Sequence, residues 1–162
     1  MNYLKISLGI FVVLAVSRFV PHPPNFTTLV ALSFYVPAVL GLKFIPVLMF
    51  AFFITDIYFG FHSTLFFTWG SVLIIGLVSK FFNKSIIFRI SGALIGATIF
   101  YLVSNFGVWI VSNYYENNIN GLIICYYLAL PFFGYTLMST TFYSFIIEIC
   151  YLIVKKKFRY KF

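Results

Sequence analysis

The side chains that could do chemistry are few and lie far apart along an otherwise apolar chain. Two kinds of group are useful here: a guanidinium or imidazole can hold an anion, while amides and an indole can recognise a ring. We assign the anion to Arg18 or His22, the ring edge to Asn25 and Asn105, and stacking to Trp109. The predicted ligand-binding set is Arg18, His22, Asn25, Asp56, His62, Asn105 and Trp109.

The composition argues against catalysis and against a metal centre. The chain has three acidic residues, two histidines and two cysteines. It contains no Ser/His/Asp or His-Glu-x-x-His arrangement and no glycine-rich nucleotide loop with a lysine. Two lone cysteines do not form a metal site, and Cys125 and Cys150 are too far apart on one predicted helix for a disulfide. We therefore predict no enzyme, no metal and no cofactor, and we expect both cysteines to be buried.

The overall balance of residues indicates a membrane protein. Of 162 residues, 62% are hydrophobic and 9% are charged, whereas a soluble domain has about 25% charged residues. The net charge of +8 does not indicate nucleic-acid binding, because the basic residues stand singly between apolar runs and form no stripe. The bilayer and a small molecule are thus the predicted partners, and nucleic acid is not.

Membrane-spanning helices need about 20 apolar residues each, and the sequence divides into six such segments within one domain, 1–162. The proline-rich run at 21–25 ends the first segment. The last is too long for one crossing, so we expect Pro131 and Gly134 to break or bend it, with its first turns along the outer interface. The predicted spans are 4–20, 26–42, 44–61, 64–79, 86–112 and 121–154, followed by a basic tail at 155–162.

The lysines and arginines predict the orientation of this all-α, six-helix bundle. With six spans, ten of them, including Arg89, fall on one side and Arg18 alone falls on the other. Because these residues are retained in the cytoplasm, both termini are predicted to be cytoplasmic in a bacterial inner membrane. An alternative is that the first segment is a signal peptide, with Lys5 before it and a cleavage site at residues 15–17.

Ionisable and amide groups inside predicted spans need partners, because lipid supplies none. Asp56 is predicted to pair with Arg18, and whether that pair is structural or is opened by a ligand stays open. Asn105 and Trp109 share a helix face that should turn inward, either towards a cavity or as an interhelical hydrogen bond with an interfacial anchor. His22 and His62 are either solvated loop residues or a pH-sensitive pair.

Two further faces are predicted to pack against other helices. Gly92 and Gly96, with alanines beside them, allow another helix to approach closely. Thr141, Ser144 and Glu148 form a polar stripe that should meet another helix of this protein or of a partner. Glu148 is alternatively expected to reach the lysines at 155–157.

Four segments together resemble an uncharacterised family of small bacterial inner-membrane proteins: 18–25, 56–62, 104–109, and 121–126 with 130–133. That family is in turn similar to the S components, the substrate-binding subunits of energy-coupling-factor (ECF) vitamin transporters. The resemblance implies a six-helix bundle that captures a micronutrient near its outer surface, under the loop after the first helix, and hands it inward by toppling.

Two departures from S components bear on partners and ligand. Many S components carry Ala-x-x-x-Ala in the first helix for docking, where this chain offers only Gly9, Ala15 and Ser17. Partnership with ECF energising subunits therefore stays open. The solitary cobalamin-type S components use a cysteine after the third helix as a cobalt ligand, and the similar region here holds His62 instead.

Two function classes follow from the sequence. The first is an S-component-like protein that binds a vitamin or precursor on its outer side for uptake. The second is a structural or assembly protein, such as a cell-shape or complex subunit, with no transport ligand. The second predicts that changes at Arg18 or Asp56 affect folding and assembly but no uptake.

Overall fold

The computed structural model describes residues 3–159, and side chains up to 156. Every regular element in this part of the chain is helical. The segment α2 is α-helical over its first seven residues and π-helical over its last five, and short 3-10 turns at Leu42–Phe44 and Ser79–Phe82 flank α3 and α4. The helices are α1 (Tyr3–Phe19), α2 (Leu29–Leu40), α3 (Ile45–Phe59), α4 (Leu65–Val78), α5 (Ile86–Val111) and α6 (Ile119–Arg159).

Four helical stretches are long and apolar enough to cross a membrane, which indicates a membrane protein. They correspond to the third to sixth predicted spans and include the 3-10 turns beside α3 and α4. The set contains neither α1 nor α2. The stretches are Leu42–Phe59, Leu65–Phe82, Ile86–Val111 and Ile119–Lys156.

The second predicted span is shorter in the structure than its hydropathy suggests. The sequence predicts helix over 26–42, whereas α2 covers about 18 Å along its axis, well below the ~30 Å hydrocarbon core. All residues of Leu29–Tyr35 are buried, and α2 contacts all five other helices. A helix that is apolar on every side belongs inside a protein, so α2 forms the centre of the bundle.

The last helix, α6, continues through Pro131 without a break. Of the two outcomes predicted at Pro131 and Gly134, a break or a bend, the break is therefore wrong. Proline inside a helix removes one hydrogen bond, whereas a complete break in an apolar environment would leave several backbone groups unpaired. The continuous helix is the less costly solution, and it packs along α5 over the largest helix–helix contact of the bundle.

The glycine face of α5 lies against two other helices at close range. A Cβ atom added to Gly92 would lie 2.5 Å from the Phe34 ring of α2 and 2.6 Å from Cβ of Phe82. A Cβ atom added to Gly96 would lie 3.0 Å from Cγ2 of Ile75 in α4. Both glycines are buried; a side chain at Gly92 would have to displace the Phe34 ring, and one at Gly96 would require Ile75 to shift by a few tenths of an ångström.

Gly92→Ala should therefore destabilise the protein, because the new methyl group must displace the Phe34 ring. We expect a loss of about 1–3 kcal/mol, typical of an overpacked core. Gly9→Ala in α1 is the matched control, since nothing lies within 4 Å of its Cβ position and alanine favours helix by up to about 1 kcal/mol. Thermal unfolding of the purified protein in detergent measures both. Equal melting temperatures for the two variants would contradict the packing described above.

Candidate binding site

A cavity of about 380 Å³, with polar side chains set in a largely apolar wall, lies at the end of the bundle that carries the α1–α2 and α3–α4 loops. Its volume falls within the ~300–1,000 Å³ typical of small-molecule sites. Four of the seven predicted ligand-binding residues line it: Arg18, His22, Asn25 and His62. The other lining residues are Thr27, Leu29, Val30, Phe52, Phe59, Thr68, Phe100 and Thr136.

A smaller cavity of about 190 Å³ adjoins the first and shares part of its wall. Asn105 lines this second cavity, so a fifth predicted residue reaches the same region. The Nδ2 atom of Asn105 donates to the main-chain oxygen of Tyr101 at 2.8 Å, which leaves Oδ1 as an acceptor. The residues common to both cavities are Asn25, Thr68, Phe100 and Thr136.

The predicted ion pair between Arg18 and Asp56 is present, and its Arg18 side chain lines the larger cavity. Nη1 of Arg18 donates to Oδ1 of Asp56 at 2.6 Å and also to Oγ1 of Thr55. The guanidinium packs over two aromatic rings, 4.8 Å from the centroid of Phe52 and 5.2 Å from that of Phe59. Arg18 is therefore held in one position by an ion pair and by cation–π contacts.

Asp56 has its hydrogen bonds satisfied without any ligand. Its second oxygen, Oδ2, accepts from Nε1 of Trp69 at 2.8 Å, and the residue is only 1% exposed. It does not itself line either cavity. Asp56 therefore contributes to the site indirectly: it holds the Arg18 side chain in position and balances the positive charge of the guanidinium.

Several groups that line the cavity retain unused hydrogen-bonding capacity within the described residues. Nε and Nη2 of Arg18 make no hydrogen bond there, because the contacts to Thr55 and Asp56 both come from Nη1. Nδ1 of His22 lies 2.7 Å from the main-chain oxygen of Pro23. Since a carbonyl only accepts, Nδ1 carries the proton and Nε2 is an acceptor in the neutral ring. The site therefore offers donors from Arg18 and acceptors from His22 and Asn105.

The second histidine is fixed by a similar local contact. Nδ1 of His62 lies 2.9 Å from Oγ1 of Thr64. No group of three residues in the described part of the chain could hold a metal ion. The two histidines are therefore polar groups of the cavity wall in this structure.

Asn25 occupies an unusual backbone position at the junction of the two cavities. Its φ of 62° is the one positive value of a non-glycine residue in residues 3–159, and asparagine tolerates this region better than most residues. Its main-chain oxygen accepts from Oγ of Ser139 at 3.3 Å, which ties the loop to α6. The prolines before Asn25 restrict the loop further.

This geometry predicts different outcomes for two substitutions at the same position. Asn25→Gly keeps the left-handed backbone and removes only the amide, so stability should change little. Asn25→Ala should be about 1–2 kcal/mol less stable than Asn25→Gly, because alanine has a Cβ atom in that region and lacks the polar side chain by which asparagine tolerates it. Thermal unfolding of the two variants side by side measures the difference. Alanine matching glycine in stability would mean that the loop relaxes out of this conformation.

The structure does not bring Trp109 to the cavities. Its Nε1 donates to the main-chain oxygen of Glu116 at 3.0 Å, in the loop between α5 and α6. We therefore leave Trp109 out of the proposed site. The indole beside the site is instead that of Trp69, which the sequence analysis did not single out. Trp69 follows the loop that contains His62 and lies at the same end of the bundle as Asp56, and this position was the signal that could have identified it.

A second buried ion pair lies towards the opposite end of the bundle, between α5 and α6. Nε and Nη2 of Arg89 each donate to one oxygen of Glu148, both at 2.6 Å. Arg89 is 8% exposed and Glu148 is 1% exposed. Arg89, counted in the sequence with the basic residues of one side, is thus buried inside the bundle, and the alternative in which Glu148 reaches the lysines at 155–157 is wrong. The two parallel hydrogen bonds satisfy both the guanidinium and the carboxylate. A lysine at the helix end would pair with the carboxylate only.

The remaining expectations on α6 have mixed outcomes. Ser144 and Glu148 of the predicted stripe are buried against this protein's own helices, whereas Thr141 is partly exposed and bonds back to the oxygen of Leu137. Cys125 is buried, as predicted, but Cys150 is exposed, and neither forms a disulfide. The predicted tail at 155–162 lies mostly outside the residues whose side chains the structure describes.

The fold and the site together define a helical membrane protein with a polar cavity at one end of its bundle. The chain matches the model of DUF6580, a family of unknown function, over residues 2–161, and it belongs to this family. No curated protein and no solved structure matched the chain.

Proposed function

We propose that this protein binds a small water-soluble micronutrient, a vitamin or a precursor, for uptake across the bacterial inner membrane, as an S-component-like protein. We place both termini in the cytoplasm and the Arg18 end of the bundle outside, so that the cavity opens on the outer side of the membrane. That orientation rests on the distribution of lysine and arginine. It places the cavity where a nutrient would arrive.

The observation that carries this proposal is the way Arg18 is held at the cavity. Its guanidinium is fixed by Asp56 and by two aromatic rings, while Nε and Nη2 have no partner within the described residues. A charged group at membrane depth is costly and is retained mainly where it serves a function. A donor pair that is already oriented also loses little entropy when a ligand binds.

The lining residues suggest how a ligand would be held. The free edge of Arg18 matches a carboxylate or a phosphate, to which arginine donates two parallel hydrogen bonds. The amides of Asn25 and Asn105 are placed for the polar edge of a ring, and Phe52 and Phe100 supply apolar contact. The sequence has no nucleotide-binding loop, so energy from ATP would come from partner subunits, for which ECF energising subunits are the candidates.

The decisive experiment identifies a small molecule that co-purifies with the protein. The protein is purified from cells grown in rich medium, denatured, and the released compounds are identified by mass spectrometry. Asn25→Gly, expected to fold normally, is the matched control and should release less of the same compound. An empty wild-type preparation that also binds no member of a panel of vitamins and precursors would overturn the proposal.

A structural or assembly role is the second candidate, and one observation favours it. Both oxygens of Asp56 and one nitrogen of Arg18 are satisfied within the protein, so this pair can stabilise the bundle with no ligand present. Under this role, variants at Arg18 lose complex assembly but leave nutrient uptake intact. Measuring uptake and assembly on the same variants separates the two candidates.

A further inference from the structure

One row of buried polar side chains on α6 plays no part in the proposed nutrient site beyond its first member. The residues are spaced by four, which places them on one face of the helix: Thr136, Thr140, Ser144 and Glu148. All four are at most 2% exposed. Thr136 lines both cavities, and Glu148 holds Arg89, about 18 Å further along the helix.

The hydroxyl groups in the middle of this row differ from the other hydroxyls of α6. Serine and threonine within a helix commonly donate to a carbonyl of the preceding turn, and Thr136 and Thr141 do so. Thr140 and Ser144 do not, and neither Oγ atom has a hydrogen-bond partner. Their hydroxyls are therefore directed away from their own backbone and towards the interior.

A third buried hydroxyl faces the row from the neighbouring helix. The OH group of Tyr35 in α2 lies close to the side chains of Ser144 and Glu148, but neither contact has the geometry of a hydrogen bond. Each unsatisfied buried polar group costs about 1–3 kcal/mol. Tyr35, Thr140 and Ser144 together therefore carry a cost that bound hydrogen-bonding molecules would remove.

The charges around these hydroxyls select the kind of partner. Both oxygens of Glu148 already accept from Arg89, and Arg89 in turn lies 5.1 Å from the ring centroid of Tyr151. A metal cation here would be repelled by the positive guanidinium of Arg89, and both carboxylate oxygens of Glu148 are already engaged by that guanidinium. A neutral molecule that both donates and accepts fits hydroxyl groups best, and water in such sites makes two to four hydrogen bonds.

We propose that ordered water molecules occupy the interface between α2 and α6 and join Tyr35, Thr140 and Ser144 into a polar track. The track leads from the cavity floor at Thr136 to the Arg89–Glu148 pair. It gives a buried carboxylate a hydrogen-bonded connection to the cavity through the apolar centre of the bundle. The track does not depend on which molecule the cavity binds.

X-ray hydroxyl-radical footprinting of the full chain in lipid nanodiscs tests this proposal, because radicals form from bound water and oxidise the side chains that touch it. Tyr35 is the reporter, and Phe34 is its matched control, since both are aromatic, adjacent on α2 and at most 2% exposed. We expect Tyr35 to be oxidised several-fold faster than Phe34, once each rate is divided by the rate of the same residue in the unfolded chain. Equal rates for the two residues would overturn the proposal.

A double variant, Thr140→Val with Ser144→Ala, tests whether these hydroxyls hold the water. It removes two orphaned hydroxyls without leaving a buried charge, so the fold should be retained. Oxidation of Tyr35 should fall to the rate of Phe34. Unchanged oxidation of Tyr35 in this variant would show that the water is held elsewhere and would refute the site as defined.

Discussion

Glu148→Ala should be among the most destabilising single substitutions in this chain. It leaves the guanidinium of Arg89, 8% exposed, without its carboxylate partner in the bundle interior. Breaking a buried ion pair from one side costs about 3–5 kcal/mol, because the remaining charge is uncompensated. Unfolding of the purified protein in mixed micelles of increasing denaturing detergent measures the loss in free energy of unfolding.

Two further variants test whether the buried charge, and not the lost side chain, is responsible. Arg89→Met combined with Glu148→Leu removes both charges and should recover most of the stability, since apolar replacements of a buried pair are often neutral or better. Lys155→Ala removes an exposed charge and should change stability by less than about 1 kcal/mol. Wild-type stability in Glu148→Ala would mean that Arg89 finds water or another partner.

The Arg89–Glu148 pair also shows where sequence reasoning fails. Arg89 lies close to the start of α5, and a basic residue at the end of a span is normally a surface residue that marks the cytoplasmic side. Its partner lies 59 residues away, and nothing in the local sequence links the two. Only the packing of α5 on α6 shows that both charges are inside.

Helix boundaries are predictable where local signals agree with the final environment. α5 was predicted over 86–112 and spans Ile86–Val111, because a polar loop precedes it and Ser85 caps it by accepting from the Phe88 amide. The length of α2 was overestimated, because an apolar run has the same hydropathy whether lipid or protein surrounds it. A break or a bend at Pro131 was predicted from local propensity, and the need to keep backbone groups paired excludes the break.

The candidate site was partly predictable for a different reason. Charged groups in an apolar chain must pair, and Asp56 was the only acidic residue predicted inside a span on that side, where Arg18 was the only basic residue. The pair therefore followed from scarcity alone. The aromatic and hydroxyl residues around it were not predictable, since phenylalanine is abundant throughout the chain, with 23 copies. Phe52 and Thr136 gain their place in the site only from the tertiary contacts.

Asp56→Ala should also lose about 3–5 kcal/mol of stability, because Arg18 loses its buried partner and Nε1 of Trp69 loses its acceptor. By itself this variant cannot distinguish a structural pair from a ligand site, since an unstable protein binds nothing. The double variant Arg18→Met with Asp56→Leu removes both charges. It should regain most of the lost stability, as measured by thermal unfolding in detergent.

Ligand affinity in that double variant separates the two proposed functions. If Arg18 holds an anionic group of a nutrient, the double variant should bind that nutrient poorly even though it is stably folded. One charge-assisted hydrogen bond contributes about 1.5–3 kcal/mol, which corresponds to a rise in Kd of roughly 10- to 150-fold, at tenfold per ~1.4 kcal/mol. Isothermal titration calorimetry with the co-purified compound, on the wild-type protein and on the double variant, measures that ratio of Kd values. A stable double variant with unchanged affinity would assign Arg18 and Asp56 to the architecture of the bundle, because the pair would then stabilise the fold without touching the ligand.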